Sequence, residues 1–446
     1  MNSKEFYLKE KPSRLFFKAA IPGGISMLVS SLYGVFDSIF VGKYLGTVAF
    51  AALGLGIPIV IINFALADLI GVGASVPISI FLGRHEDDKA NNYFTCATIM
   101  IFLTGLFMGG LIYLVAPHFL SLMGADGVLH ELGVKYIRVY AIFSPFTTMM
   151  FAIDNFLRIC GKIKTSMVLN TCMGLGIIPL ELLFILVFGW GIVGSALAGS
   201  IAMFIAVAVG IIYFSTGKLQ LKFTKPHFSK RLVVEIAKDG SPAFLTNVSS
   251  RIFSIVMNMM LLKLGGAEAV AVYAVLMTLG SIVEQILYGV LDSLQPAIGY
   301  NFGAGEGGRV KKIVKYSFFG GAFISILFAI IMFSIPKILA IPFLEDLSLL
   351  DLTERALRLF CISYLFKWLS HAVQSYKLAV EKSKEAAIIS ISGVCIVPII
   401  MIFALFPLGL DGLWLNQTCT AVLVDILAVF ILFRREKKKR NKGNLD

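Results

Sequence analysis

The residues of this chain able to do chemistry are ionisable groups set inside long apolar runs. Asp37, Asp68, Glu181, Glu284, Asp292, Arg251, Lys367 and His371 all lie in stretches otherwise dominated by aliphatic and aromatic residues. A charged side chain in such a place is costly and as a rule faces a cavity or a partner. Ser26, Ser30, Tyr33 and Asp37 recur at helical spacing and share one helix face. A carboxyl on that face can take up and release a proton, or hold Na⁺ with neighbouring oxygens. Asp68 follows Asn63 midway along the next run, and Glu181 stands two residues after Pro179. A proline frees nearby backbone carbonyls, which adds oxygens for an ion. Asp37, Glu181 and Asp68 are therefore the candidate ion-coupling residues, with Na⁺ binding at Asp37 as one form of that chemistry; the alternative is a hydrogen bond to a neighbouring helix for Asp37, and an interhelical hydrogen bond or salt bridge for Asp68.

A second stripe, Ser281, Glu284, Tyr288, Asp292 and Gln295, follows helical spacing further along the chain. One polar face on a long apolar helix is expected to line water or a substrate path, and Glu284 would attract a cation. The alternative is an ion pair of Glu284 with Arg251 or Lys367. His371 shares a helix face with Tyr364, Lys367 and Gln374. Either a packed histidine or a proton relay fits it. Tyr33, Glu284, Tyr288, Asp292, Gln295 and His371 form the expected substrate cavity. Asn170 and Thr171 fit helix packing, and Asp154, Asn155 and Arg158 fit a structural turn or gate contact.

The elements that must position these groups are read from composition. Of 446 residues, 58% are hydrophobic and 15% charged, against roughly 25% charged in soluble domains. Runs such as Leu15 to Val41 and Val48 to Leu82 meet or exceed the roughly 20 apolar residues a bilayer requires. They lack the alternation of barrel strands, so they are helices. Twelve spans are expected, at 15–42, 48–82, 91–117, 128–154, 163–188, 190–214, 236–262, 267–300, 312–336, 352–378, 385–406 and 409–433. The polar start and the long first apolar run do not fit a cleaved signal peptide. The six cysteines lie in or near apolar runs without a CxxC pair, which suits small packing residues.

The net charge is +12. Its distribution argues against nucleic-acid binding, because basic residues collect in loops on alternate sides of the spans. One side carries Lys9, Lys11 and Arg14, the loops at Arg84, Lys162, Lys218 to Lys238, Arg309 to Lys315 and Lys382, and a basic tail from Arg434 to Lys442. That side is expected to be cytoplasmic and to hold both termini, with the tail anchored near anionic lipid.

The chain also repeats at a spacing of about 220 residues. Pro22 matches Pro242, Lys43 matches Lys263, Gly46 matches Gly266, Gly83 and Glu86 match Gly303 and Glu306, and Lys162 and Lys164 match Lys382 and Lys384. Six spans per repeat give both halves one orientation. The expected fold is all-α: twelve transmembrane helices in two parallel six-helix bundles, related by a pseudo-two-fold along the membrane normal. The expected divisions are a cytoplasmic N-terminus (1–14), an N-terminal bundle (15–214), a linker (215–235), a C-terminal bundle (236–433) and a basic tail (434–446).

Three segments carry a family resemblance. They are Val35-Phe36-Asp37-Ser38-Ile39-Phe40-Val41-Gly42, Asn155-Phe156-Leu157-Arg158-Ile159-Cys160-Gly161-Lys162, and Leu294-Gln295-Pro296-Ala297-Ile298-Gly299-Tyr300-Asn301-Phe302-Gly303-Ala304-Gly305. In this order they resemble the multidrug and toxic compound extrusion (MATE) family, in its bacterial multidrug-export branch. The resemblance implies efflux of cationic amphipathic drugs in exchange for H⁺ or Na⁺ by alternating access. It implies no cofactor beyond the coupling ion and no nucleic-acid partner. It also implies a monomer in the bacterial inner membrane. The chain departs from the family pattern in the fifth span, where Ile177 and Glu181 stand at the family's Asn and Asp. In the seventh and tenth spans, Arg251, Asn258, Lys367 and His371 stand where some members carry carboxylates. Ion coupling is thereby expected in the N-terminal half. The alternative is a flippase for lipid-linked oligosaccharides of the same broad superfamily, which would use Arg251 and Lys367. Enzyme motifs such as HExxH, GxSxG and a nucleotide-binding loop do not occur.

Overall fold

The computed structural model describes residues 3–344 and 347–433; the side chains of residues 3, 4, 38, 39 and 47 are not described. The basic tail (434–446) lies outside the described residues. Nine helical segments among the described residues are long and apolar enough to cross a bilayer. Two of these are double crossings. Lys230–Asp292 bends back at Gly265 and Gly266, where the backbone leaves helical angles, and Ser383–Phe433 turns at Phe406–Leu408. A further, less apolar crossing runs through Leu350–Cys361 and Tyr364–Ala379. The arrangement is that of twelve spans in two bundles. The second span, Thr47–Gly83, has 37 residues. At about 1.5 Å per residue it outreaches a hydrocarbon core of about 30 Å.

Local chemistry sets the ends. Pro12 opens the first span (Pro12–Leu45) in its first turn, where a missing N–H costs nothing. Ser229 caps the seventh by accepting from the Leu232 N–H at 3.1 Å, so helix begins at Lys230, inside the expected linker. The fourth and tenth spans are interrupted near Thr148 and at Ile362–Ser363, breaks that apolar periodicity does not reveal.

The repeat is clearer in the turns than in residue identity. Left-handed backbone recurs at Gly46 and Gly266 (φ +83° and +63°). It recurs again at His85 (φ 63°) and Gly305 (φ 77°), and at Gly161 (φ 70°) and Glu381 (φ 61°). The chain keeps this geometry even where one copy has lost the glycine that makes it easy.

The two halves pack against each other at the end that carries the chain's N-terminus. A Cβ added to Gly83 would lie 2.2 Å from the Tyr300 carbonyl oxygen, and one added to Gly303 would lie 2.3 Å from that of Ile80. These contacts exchange under the repeat. Gly299 meets Ser79, its own repeat equivalent, so this pair flanks the pseudo-two-fold. Further from the axis, Gly23 meets Gly289, and Gly73 and Gly240 meet Ile236 and Leu69. The N-terminal helix Ser3–Lys9 buttresses this end. Tyr7 packs on Tyr300 (ring centroids 4.8 Å apart), and the Tyr7 carbonyl accepts from Asn301 Nδ2 at 2.9 Å.

Candidate functional site

The first polar centre lies in the N-terminal half. Asp37 comes from the first span and Glu181 from the end of Ile163–Glu181. Pro179 lacks an N–H, and immediately after Glu181 the helix widens into a π turn, Leu182–Val187. Glu181 is 2% exposed. Its carboxyl meets that of Asp37 and the Ser195 hydroxyl. Ser195, on Gly191–Ser215, donates to Asp37 Oδ1 at 3.2 Å. Tyr33 and Tyr140 bring their hydroxyls together over Gly199, and Tyr136 packs on Tyr140 with ring centroids 5.1 Å apart. Glu181 Oε1 is buried without a hydrogen-bond partner. Two carboxylates in one dry cluster repel unless a proton or cation lies between them. Asp37, Glu181 and Ser195 supply the oxygens a hard cation takes, and the unpartnered Oε1 is an acceptor suited to either occupant.

Asp68 is elsewhere. It is half-buried where the halves meet, and Asn247 Nδ2 of the seventh span approaches its Oδ2 at 3.4 Å. The three expected ion-coupling residues therefore divide into a pair, Asp37 and Glu181, and a single inter-half contact at Asp68.

The second centre lies in the C-terminal half, around a cavity of about 180 Å³. Lys367 Nζ donates to Glu284 Oε1, which settles the choice of partner; Arg251 is exposed. His371 stands edge-on to Tyr288, ring centroids 4.1 Å apart. His371 Nε2 lies 3.8 Å from Asp292 Oδ1, beyond hydrogen-bond reach. Glu284, Tyr288 and His371 line the cavity with hydroxyls from Thr246, Ser250 and Thr420. Asp292 and Gln295 do not. Gln295 Nε2 donates to Asp292 Oδ1 at 2.8 Å and to Ser375 Oγ at 3.0 Å. Both residues border a small gap toward the closed end with Ser79 and Arg158. The five-residue stripe thus serves two places, and His371, on a different helix, joins its upper part.

Near the closed end, Asp154 and Arg158 form a buried ion pair at 2.7 Å. Asn170 Nδ2 donates to Asp154 at 2.6 Å, and the Ser166 hydroxyl also donates to it. This fits the structural reading of those residues. Sequence reasoning missed Ser195, Tyr136, Tyr140 and Asn247. Tyr136 and Tyr140 stand four apart on one helix face beside Arg138, a polar signal in the fourth span. Ser195 and Asn247 carry no local signal.

Two helical bundles with buried polar centres, joined at one end, are an architecture suited to a multi-pass membrane transporter. Comparison with known proteins agrees. The MatE family model matches residues 22–183 and again 242–404. The multidrug export protein MepA of Staphylococcus aureus (strain MRSA252) is 28% identical over 97% of this chain and 96% of its own length. MepA of Staphylococcus saprophyticus is 26% identical over the same shares. A crystal structure of a MATE protein in complex with MaL6 superposes with a TM-score of 0.92 at 20% identity, over 97% of this chain and 98% of its own. An outward-facing multidrug resistance MATE transporter superposes at 0.91 and 20% identity, over 96% and 97%. The chain belongs to the MatE family.

Proposed function

We propose that this protein exports amphipathic cationic compounds in exchange for H⁺ or Na⁺, as a monomer in the bacterial inner membrane, by alternating access between the bundles at 15–214 and 236–433. The observation that carries the reading is the Asp37–Glu181 pair, placed in one half of a molecule whose halves are closed at one end. With both termini in the cytoplasm, as the basic loops favour, that closed end is the inner one. A proton or Na⁺ held by the pair changes the relative stability of the two arrangements only if it binds one of them better. Glu181 on the fifth span and Asp37 on the first are brought together by one packing of the N-terminal bundle, so occupancy of the pair favours that packing. The similarity to the multidrug export protein MepA supports drug export. Lys367, which a lipid-pyrophosphate flippase would use, is already engaged by Glu284.

The test is ethidium efflux from energised cells and from proteoliposomes under separately imposed pH and Na⁺ gradients. Asp37→Asn is expected to lower gradient-driven efflux about tenfold or more. Wild-type efflux by Asp37→Asn, still collapsing with the gradient, would remove the coupling assignment.

A further inference from the structure

The C-terminal cavity has a feature that drug export by the paired acids does not use. Its main charges, Lys367 and Glu284, are already joined to each other. Both belong to membrane-spanning helices, and their side chains are 25% and 33% exposed. Around them stand hydroxyls of Thr246, Ser250 and Thr420 and the apolar side chains of Phe253 and Met277. A ligand can enter such a site in three ways. An organic cation would take Glu284 and leave the ammonium of Lys367 without its partner. An organic anion would take Lys367 and leave the carboxylate of Glu284. Either way a charge is left unpaired in a partly desolvated site, which is the costly outcome. A zwitterion inserts between the two: its ammonium replaces Lys367 on Glu284, and its carboxylate replaces Glu284 on Lys367. Every charge then keeps an opposite neighbour.

We propose that this cavity binds small zwitterions carrying a carboxylate and an ammonium close together beside an apolar group, by exchange with the Glu284–Lys367 pair. The hydroxyl wall takes the remaining polar atoms, and Phe253 and Met277 take the apolar group. Closing or opening of the halves is no part of the binding step, so equilibrium binding reads this site without an ion gradient. Its failure is therefore distinguishable from failure of the efflux reading.

The experiment is equilibrium dialysis of radiolabelled phenylalanine with the purified full-length protein at neutral pH. Phenethylamine is the matched cation and hydrocinnamate the matched anion, both as competitors. The wild type is expected to prefer phenylalanine by about tenfold or more over each competitor. Lys367→Gln should shift the preference to phenethylamine, and Glu284→Gln should shift it to hydrocinnamate. The charge-reversed double variant, Glu284→Lys with Lys367→Glu, keeps a neutral pair and should keep the preference for phenylalanine. Thermal unfolding of each variant identifies any that fail to fold, and the wild-type competition series stands without them. Three results would overturn the proposal: no preference for phenylalanine in the wild type, an unchanged order in both folded single variants, or an order in the reversed variant matching that of a single variant.

Discussion

The two halves share a scaffold and not a chemistry. The polar centre of the N-terminal half joins two acids, Asp37 and Glu181, with hydroxyls and, among the described residues, no basic partner. The cavity of the C-terminal half holds a joined acid and base, Glu284 and Lys367. Repeat equivalence makes the difference sharper. Asp37 corresponds to Met257, Glu181 to Ile400 and Tyr33 to Phe253, while Glu284 corresponds to Phe64 and Lys367 to Thr147. At these positions each half is apolar or neutral where the other is charged. A pair of acids needs a mobile cation for neutrality, and an acid with a lysine carries its own. The comparison teaches that a duplicated fold can place a pair of acids in one half and an acid–base pair in the other.

The largest expected effect comes from giving the first half the second half's chemistry. Glu181→Lys places an ammonium beside Asp37 and supplies the pair with a built-in cation. Gradient-driven efflux should fall about a hundredfold, near 2.7 kcal/mol in the barrier. If Glu181→Lys still couples efflux to a gradient, the contrast between the halves is not the basis of coupling.

A smaller effect tests what the halves have in common, their contact at the closed end. A Cβ on Gly73 would lie 2.1 Å from the Ile236 carbonyl oxygen, a backbone atom that cannot rotate aside. Gly73→Ala should cost the closed arrangement about 1–3 kcal/mol, and so shift the population at least about fivefold. The readout is cross-linking between Arg84→Cys and Glu381→Cys, whose parent side chains lie 4.0 Å apart across the halves. Gly54→Ala, with open space around its Cβ, is the matched control. Cross-linking that is equally reduced in both variants would mean that close backbone approach does not hold this end shut.

The fold was largely legible because bilayer solvation writes it into composition: long apolar runs, basic loops on one side, and repeated loop residues. Its interruptions were not. Apolar periodicity does not mark the π turn Leu182–Val187 or the break at Ile362–Ser363. In the sites, Asp37, Glu181, Glu284, Tyr288 and His371 were legible from the cost of polar groups in a membrane. Their grouping was less so. Asp68 reads from sequence like Asp37, yet it meets Asn247 across the halves, a pairing between residues 179 apart in the chain. Asp292 and Gln295 follow the same helical stripe as Glu284 but stand a turn or more closer to the closed end, where they bond each other and Ser375. Spacing assigns a face of a helix; it does not divide that face by depth.

The smallest effect examines the second half alone. If Lys367 is a fixed counter-charge, removing it should destabilise the protein, because Glu284 is left without its base. Loss of one partner of a fully buried pair costs about 3–5 kcal/mol. These side chains are 25% and 33% exposed, and water screens part of that, so about 1–2 kcal/mol is the expectation for Lys367→Met. Adding Glu284→Gln should recover most of the loss, since replacing both charges with neutral groups of similar size is often close to neutral. Thermal unfolding in detergent across the wild type, two single variants and the double variant gives the coupling directly. A double variant as unstable as the sum of the singles would mean that the two charges do not depend on each other, and the C-terminal half would then lack the internal neutrality that sets it apart from the Asp37–Glu181 pair.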